Sequence, residues 1–141
     1  MVAHTALSAE EAALIAAHFR EGADEDMATA ELLFAHARYA PCLFFLHLAI
    51  EKSLKVHVAE CQRAVPPYTH DLIRLAELGG ITPSDEQRTQ LRVVNQFNLH
   101  ARYDDYKREF AKLTTREYAQ EHLQKGKALF VWIRQYTQSK K

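Results

Sequence analysis

Three polar side chains recur at four-residue steps within the otherwise apolar segment HLAIEKSLK. His47, Glu51 and Lys55 offer an imidazole, a carboxylate and an ammonium group. On a helix this spacing places them on one face, about one turn apart, and Lys52 lies beside them. The pattern has two interpretations. It is a polar stripe that contacts a ligand, or it is a Glu–Lys pair on a solvated face that contributes roughly 0.2–0.5 kcal/mol.

A second chemically informative stretch is FNLHARYDDYKREF, residues 97–110. Arg102 and Tyr103 stand where the apolar helical pattern stops. An Arg at a helix end can bind phosphate through two parallel hydrogen bonds, and a neighbouring Tyr ring can stack on a base. The alternative is that Tyr103, Tyr106 and Phe110 pack in the core while Arg102 pairs locally. The spacing leaves both interpretations open.

Composition excludes several other kinds of site. Only four Gly are present, so a Gly-rich phosphate-binding loop is not expected. The two Cys do not form a Cys-x-x-Cys pair, and none of the eight His has a Glu three residues before it, as a di-iron bundle requires. The sequence therefore predicts no metal site and no cofactor.

Cellular location is predicted from the termini, the cysteines and the apolar runs. Residues 1–14 lack the basic start and apolar core of a signal peptide. The longest nearly apolar run, APCLFFLHLAI, is eleven residues, too short to span a bilayer. Cys42 and Cys61 on one helix would lie about 28 Å apart, too far to pair with each other. Free thiols suit a reducing compartment, so a cytoplasmic protein without membrane association is expected.

The formal net charge is zero, but the charges are unevenly distributed. Residues 1–60 hold four Lys or Arg against nine Asp or Glu, whereas residues 101–141 hold ten against five. A basic surface at the C-terminal end can attract an anionic partner. The alternative is that the acidic and basic segments pack against each other.

Apolar spacing at three and four residues predicts an all-α, antiparallel bundle in a single domain, residues 1–141. The expected order begins with an N-terminal helix from about 9 to 20, opened by a Ser8–Glu11 capping box and ending near Gly22. Helices over 24–40 and 42–65 follow, the latter with Pro41 in its first turn. Three further helices are expected to begin at the N-caps Thr69, Thr82 and Thr114.

The order of several segments resembles the HEPN family, the nucleotide-binding helical domain of higher eukaryotes and prokaryotes. The resemblance rests on AELLFAHARYAPCLFFLHLAIEKSLKVHV, PPYTHDLIRLAE, NQFNLHARYDDYK and KGKALFVWI, which together extend over about residues 24–137. It is to the branch with THDL and ARYP-like motifs. Residues 1–22 would be an added N-terminal helix. The implied fold is a bundle of four or five helices that commonly dimerises, with polar residues in a cleft near the dimer interface.

The resemblance also implies what the domain binds. Many relatives are encoded beside a minimal nucleotidyltransferase, as paired or toxin–antitoxin systems. The expected function is that of a homodimeric module that binds a nucleotide or single-stranded RNA and works with such a partner. The expected ligand-binding residues are Arg102, Tyr103, Glu51, Lys52, His47 and His70.

Other relatives of this family are metal-independent ribonucleases, and these carry an Arg followed four to six residues later by a His. Arg102 is not followed by a His, and His100 precedes it. Arg63 and His70 have a similar spacing but are separated by Pro66-Pro67. Because an imidazole would transfer the protons in metal-free cleavage, binding without catalysis is favoured. The alternatives are a ribonuclease toxin using Arg102 with His100 or His70, and a purely structural dimeric interaction protein.

Overall fold

The computed structural model describes the backbone of residues 6–102 and 104–137 and the side chains of residues 6–99 and 107–137. This part contains six helices: α1 (Ala9–Ala35), α2 (Tyr39–Gln62), α3 (Leu72–Leu78), α4 (Asp85–Arg102), α5 (Asp104–Leu113) and α6 (Arg116–Gln135). No strand is present in the same residues. The predicted all-α fold class is confirmed.

The first helix does not end near Gly22 as the sequence predicted. The Ser8–Glu11 capping box forms, but α1 then continues through Gly22 to Ala35. Gly in a helix interior costs about 1 kcal/mol relative to Ala. That cost is offset because Ala23 and Met27, which directly follow the expected break, are both buried. The expected separate N-terminal helix is thus the first half of one 27-residue helix.

Ion pairs between the long helices show their relative directions. Asp26 of α1 lies 2.7 Å from Lys52 of α2, and Arg20 lies 3.6 Å from Glu60. Residues later in α1 therefore meet residues earlier in α2, so the two helices are antiparallel. α6 is also antiparallel to α1, because Asp24 pairs with Arg134 at 2.6 Å and Glu31 pairs with Lys127 at 3.3 Å. Part of the acidic N-terminal charge is thereby neutralised by basic residues of α6.

α2 forms the centre of the core, and α6 approaches it closely at Gly126. A Cβ added at Gly126 would lie 2.5 Å from Cδ1 of Leu46, a side chain with no exposed surface. Further along the same pair of helices, His57 Nε2 donates to the carbonyl of Ile133 at 2.7 Å. His57 thus joins α2 to α6.

Three N-caps differ from the predicted ones by two residues or fewer. The N-cap of α3 is Asp71, whose carboxylate accepts from the Ile73 amide. Ser84 and Gln87 exchange capping hydrogen bonds at the start of α4, in place of Thr82. Thr115 caps α6, whereas the Thr114 hydroxyl donates back to the carbonyl of Phe110. In each case a polar residue nearer the helix has the extended backbone or the reach that a cap requires.

Both cysteines lie on α2 as expected, and both are free. Cys42 is buried and Cys61 is exposed. Across residues 6–102 and 104–137, the helices fall short of the length and apolar character needed to cross a bilayer.

Candidate functional site

The polar stripe of α2 is buried, so the interpretation of a solvated face is wrong. His47 has no exposed surface, and Glu51 and Lys55 are 4% and 8% exposed. A buried charge is tolerated only when it is paired and hydrogen-bonded. The partners of Glu51 therefore decide what this stripe does.

Each carboxylate oxygen of Glu51 contacts a basic side chain. Its Oε2 accepts from Lys55 Nζ at 2.9 Å, and its Oε1 lies 2.8 Å from Nδ1 of His70. The ionised carboxylate only accepts, so the His70 proton is on Nδ1 in this contact. His47 Nδ1 is 3.8 Å from the same Oε1, but His47 Nε2 lies 3.1 Å from the His70 carbonyl oxygen and donates to it. The carboxylate and the His47 ring together fix the position of residue 70 against α2.

Side chains on α3 and α4 fix the other side of this segment. The Leu72 amide donates to Asn95 Oδ1 at 2.9 Å, and Asn95 Nδ2 donates to Asp71 Oδ1 at 3.2 Å. One side chain of α4 thus holds the residues directly after His70. Neither Asn95 nor Asp71 is among the site residues expected from the sequence. The available signals were a polar residue, Asn95, four positions after the apolar Leu91, and an Asp directly before the helical pattern of α3.

An exposed aromatic ring covers the outer edge of the His70 imidazole. Tyr68 is 92% exposed, and its ring centroid lies 5.5 Å from that of His70 in an edge-on arrangement. The His70 side chain itself is 26% exposed. This place in the described molecule therefore combines a fixed, partly accessible imidazole with an open aromatic face. Tyr68 was also missed, although it lies in the PPYTHDL segment.

Lys52 does not join Glu51. Successive residues of a helix point about 100° apart, and Lys52 faces α1. Its Nζ lies 2.7 Å from Oδ2 of Asp26, and a Cβ added at Gly22 would lie 3.1 Å from its Cδ. The structure thus groups His47, Glu51 and His70 and leaves Lys52 on another side of α2.

The side chains of His100, Arg102, Tyr103 and Tyr106 lie outside the described residues. The described bounds are Asp85–Arg102 for α4 and Asp104–Leu113 for α5. Residue 103 between them lies outside the described residues, so the helix end expected at Arg102 stays a prediction. Position 102 is seven residues after Asn95. Seven residues are nearly two full turns, so both positions share a face of α4 about 10 Å apart along its axis. Phe110, the last residue of the stretch 97–110, packs in the core with its ring 5.8 Å from that of Phe97.

No group of three or more His, Cys, Asp or Glu is placed to hold a metal ion among the residues that the structure describes. The Glu51 carboxylate and the His70 imidazole, two side chains of the types that bind metals, contact each other, and the carboxylate also contacts Lys55.

Comparison with known proteins gives a family and a related fold. A family model described as the HEPN domain matches residues 16–136. The match thus begins within α1, eight residues before the expected position 24. TT1696 from Thermus thermophilus, known from a crystal structure, is similar with a TM-score of 0.67 and 20% identity, over 84% of this chain and 94% of that chain. At that identity the likeness shows the fold alone. No curated protein matches the chain.

Proposed function

Because the chain belongs to the HEPN domain family, we propose that it binds a nucleotide or single-stranded RNA without cleaving it. The proposed site lies where α4 ends, with Arg102 as the phosphate ligand and Tyr103 as the stacking ring. In this proposal His70 borders the site, and Glu51 and His47 hold His70 in position. Lys52 is not part of this proposal because it pairs with α1.

The single observation that carries the proposal is the contact made by Asn95. This residue shares a face of α4 with position 102 and is bonded to Asp71 and Leu72, directly after His70. Position 102 therefore lies about 10 Å along the α4 axis from Asn95, the side chain that holds the two residues after His70. An Arg there can bind a phosphate through two hydrogen bonds. Tyr68 offers a second face for base stacking.

The charge distribution supports a short, flexible ligand over duplex DNA. Zero net charge gives weak long-range attraction to a polyanion. Local phosphate contacts and stacking then supply most of the binding energy, and unpaired bases are available for stacking only in single strands.

The test is fluorescence anisotropy with a labelled single-stranded RNA of about ten nucleotides, in EDTA. Arg102→Ala is expected to weaken binding at least tenfold, because a charge-assisted hydrogen bond contributes roughly 1.5–3 kcal/mol. Arg92→Ala is the matched control: it removes an exposed Arg from the same helix, on another face. Equal affinities for the wild type and both variants would contradict the proposal.

One observation favours a second candidate function, a metal-independent ribonuclease using Arg102 and His70. A carboxylate that fixes an imidazole, as Glu51 fixes His70, is a common arrangement in general acid–base catalysis. Under this alternative the RNA is cleaved in EDTA, and both Arg102→Ala and His70→Gln abolish cleavage.

Homodimerisation and pairing with a minimal nucleotidyltransferase complete the proposal. One chain has a mass of 16.2 kDa, and light scattering after size-exclusion chromatography is expected to give twice that mass. A mass of one chain at micromolar concentration would remove the dimer from the proposal and leave RNA binding to be judged separately.

A further inference from the structure

A cavity of about 520 Å³ lies between the start of α2 and one face of α5. This volume is within the range of roughly 300–1,000 Å³ found for small-molecule sites. Its lining includes three aromatic side chains and two cationic ones, with small residues such as Ala111 between them. The aromatic residues are Tyr39, Phe44 and Phe110, and the cationic residues are Arg38 and Lys107.

The aromatic side of the cavity is supported from behind by packing. Tyr39 lies against Phe34, with ring centroids 5.6 Å apart, and Phe110 lies against Phe97 at 5.8 Å. Phe97 is fully within the core at 1% exposure. These rings are held in place before any ligand arrives, which reduces the entropy lost on binding.

The charged side of the cavity is positive. Arg38 and Lys107 are both exposed, and neither has an ion pair with any residue that the structure describes. No described residue of the lining is acidic. Lys112 on the same helix differs, since its Nζ lies 3.8 Å from Glu109. The positive charge beside the cavity is therefore not neutralised from within the described lining.

We propose that this cavity binds a small ligand in which an aromatic ring is joined to an anionic group such as phosphate or carboxylate. The ring would pack on Tyr39, Phe44 and Phe110, and the anion would contact Arg38 and Lys107. An apolar cavity with a few converging polar groups is the usual form of such a site. The site is built from different residues than the Arg102 site, and the inference goes beyond the proposed function.

The test is isothermal titration calorimetry with phenyl phosphate, a compound that consists of only the required aromatic ring and anionic group. Saturable binding is expected, with inorganic phosphate and phenol each binding at least tenfold more weakly. Arg38→Gln and Lys107→Gln are each expected to lower the affinity about tenfold, the effect of losing one charge-assisted hydrogen bond. Lys112→Gln removes the same charge from the same helix outside the cavity and is expected to change nothing.

A cavity-filling variant tests the location without changing charge. Ala111→Trp adds a large side chain at an exposed lining position, so it is expected to abolish binding while the unfolding midpoint stays close to that of the wild type. The proposal fails if no saturable binding occurs, or if inorganic phosphate binds as tightly as phenyl phosphate. It also fails if the Arg38, Lys107 and Ala111 variants bind like the wild type. Loss of binding in Arg102→Ala alone would place the ligand at the end of α4. That result would overturn the cavity proposal and leave the proposed function standing.

Discussion

The buried pair of Glu51 and Lys55 is the feature whose removal should change stability most clearly. The pair has 5% and 10% exposed side-chain surface and a separation of 2.9 Å between Lys55 Nζ and Glu51 Oε2. In Lys55→Met the carboxylate loses its ammonium partner and keeps its contact with His70 Nδ1. Breaking a buried pair by removing one partner typically costs about 3–5 kcal/mol, whereas an exposed pair contributes about 0–1 kcal/mol.

We therefore expect Lys55→Met to lower the free energy of unfolding by about 3 kcal/mol, at the lower end of that range because His70 still contacts the carboxylate. Each kcal/mol shifts Tm by about 2–4 °C in a domain of this size, so the expected drop is about 6–12 °C. Glu51→Gln leaves the Lys55 ammonium beside a neutral amide and is also expected to destabilise. The double variant removes both charges together, so its loss should be smaller than the sum of the two single losses.

The assay is urea unfolding followed by circular dichroism for the wild type, both single variants and the double variant. The slope of free energy against urea must stay constant, so that midpoints report stability. Lys125→Met is the control, since its partner Glu121 also lies 2.7 Å away at an i,i+4 spacing, but with about half of each side chain exposed. Single losses below 1 kcal/mol that simply add would refute the reasoning that this pair behaves as a buried one.

Three further predictions concern packing, thiol reactivity and pH. Gly126→Ala is expected to destabilise by about 1–3 kcal/mol despite the better helix propensity of Ala, because its Cβ would overlap buried Leu46; an unchanged or raised Tm would contradict this. Burial raises the pKa of Cys42 to about 11, so a thiol reagent at pH 8 should label only Cys61 in the folded protein, as counted by mass spectrometry. Burial lowers the pKa of His122, so the unfolded state binds its proton first and stability falls as pH drops below about 6.5; His122→Gln should flatten the decline in Tm from pH 7 to pH 5, and an identical slope would contradict the assignment.

The helices were predictable because their signals are local. Apolar residues at three- and four-residue steps define α2, and the absence of Gly and of any Pro beyond its first turn allows its full length. The end of α1 could not be predicted from Gly22, because the residues around it bury against α2 and that tertiary contact outweighs a local preference.

The candidate site was less predictable because its contacts join distant segments. Spacing placed His47, Glu51 and Lys55 on one face, but it does not state whether that face meets water or protein. The Glu51 carboxylate is buried because the segment at His70, nineteen residues later in the chain, packs against it. Asn95 is twenty-four residues beyond Asp71, and nothing local to either residue indicates their hydrogen bond.

The most direct test of the central claim is to recover a single-stranded RNA from its complex with the wild-type protein after prolonged incubation in EDTA, and to measure its length on a denaturing gel. The account predicts that the RNA is bound, that binding is weakened in Arg102→Ala, and that the recovered RNA is full length. If the RNA is shortened by the wild type but stays full length with Arg102→Ala, the account is contradicted and the ribonuclease alternative is established. If the RNA does not bind the wild type at all, both are contradicted.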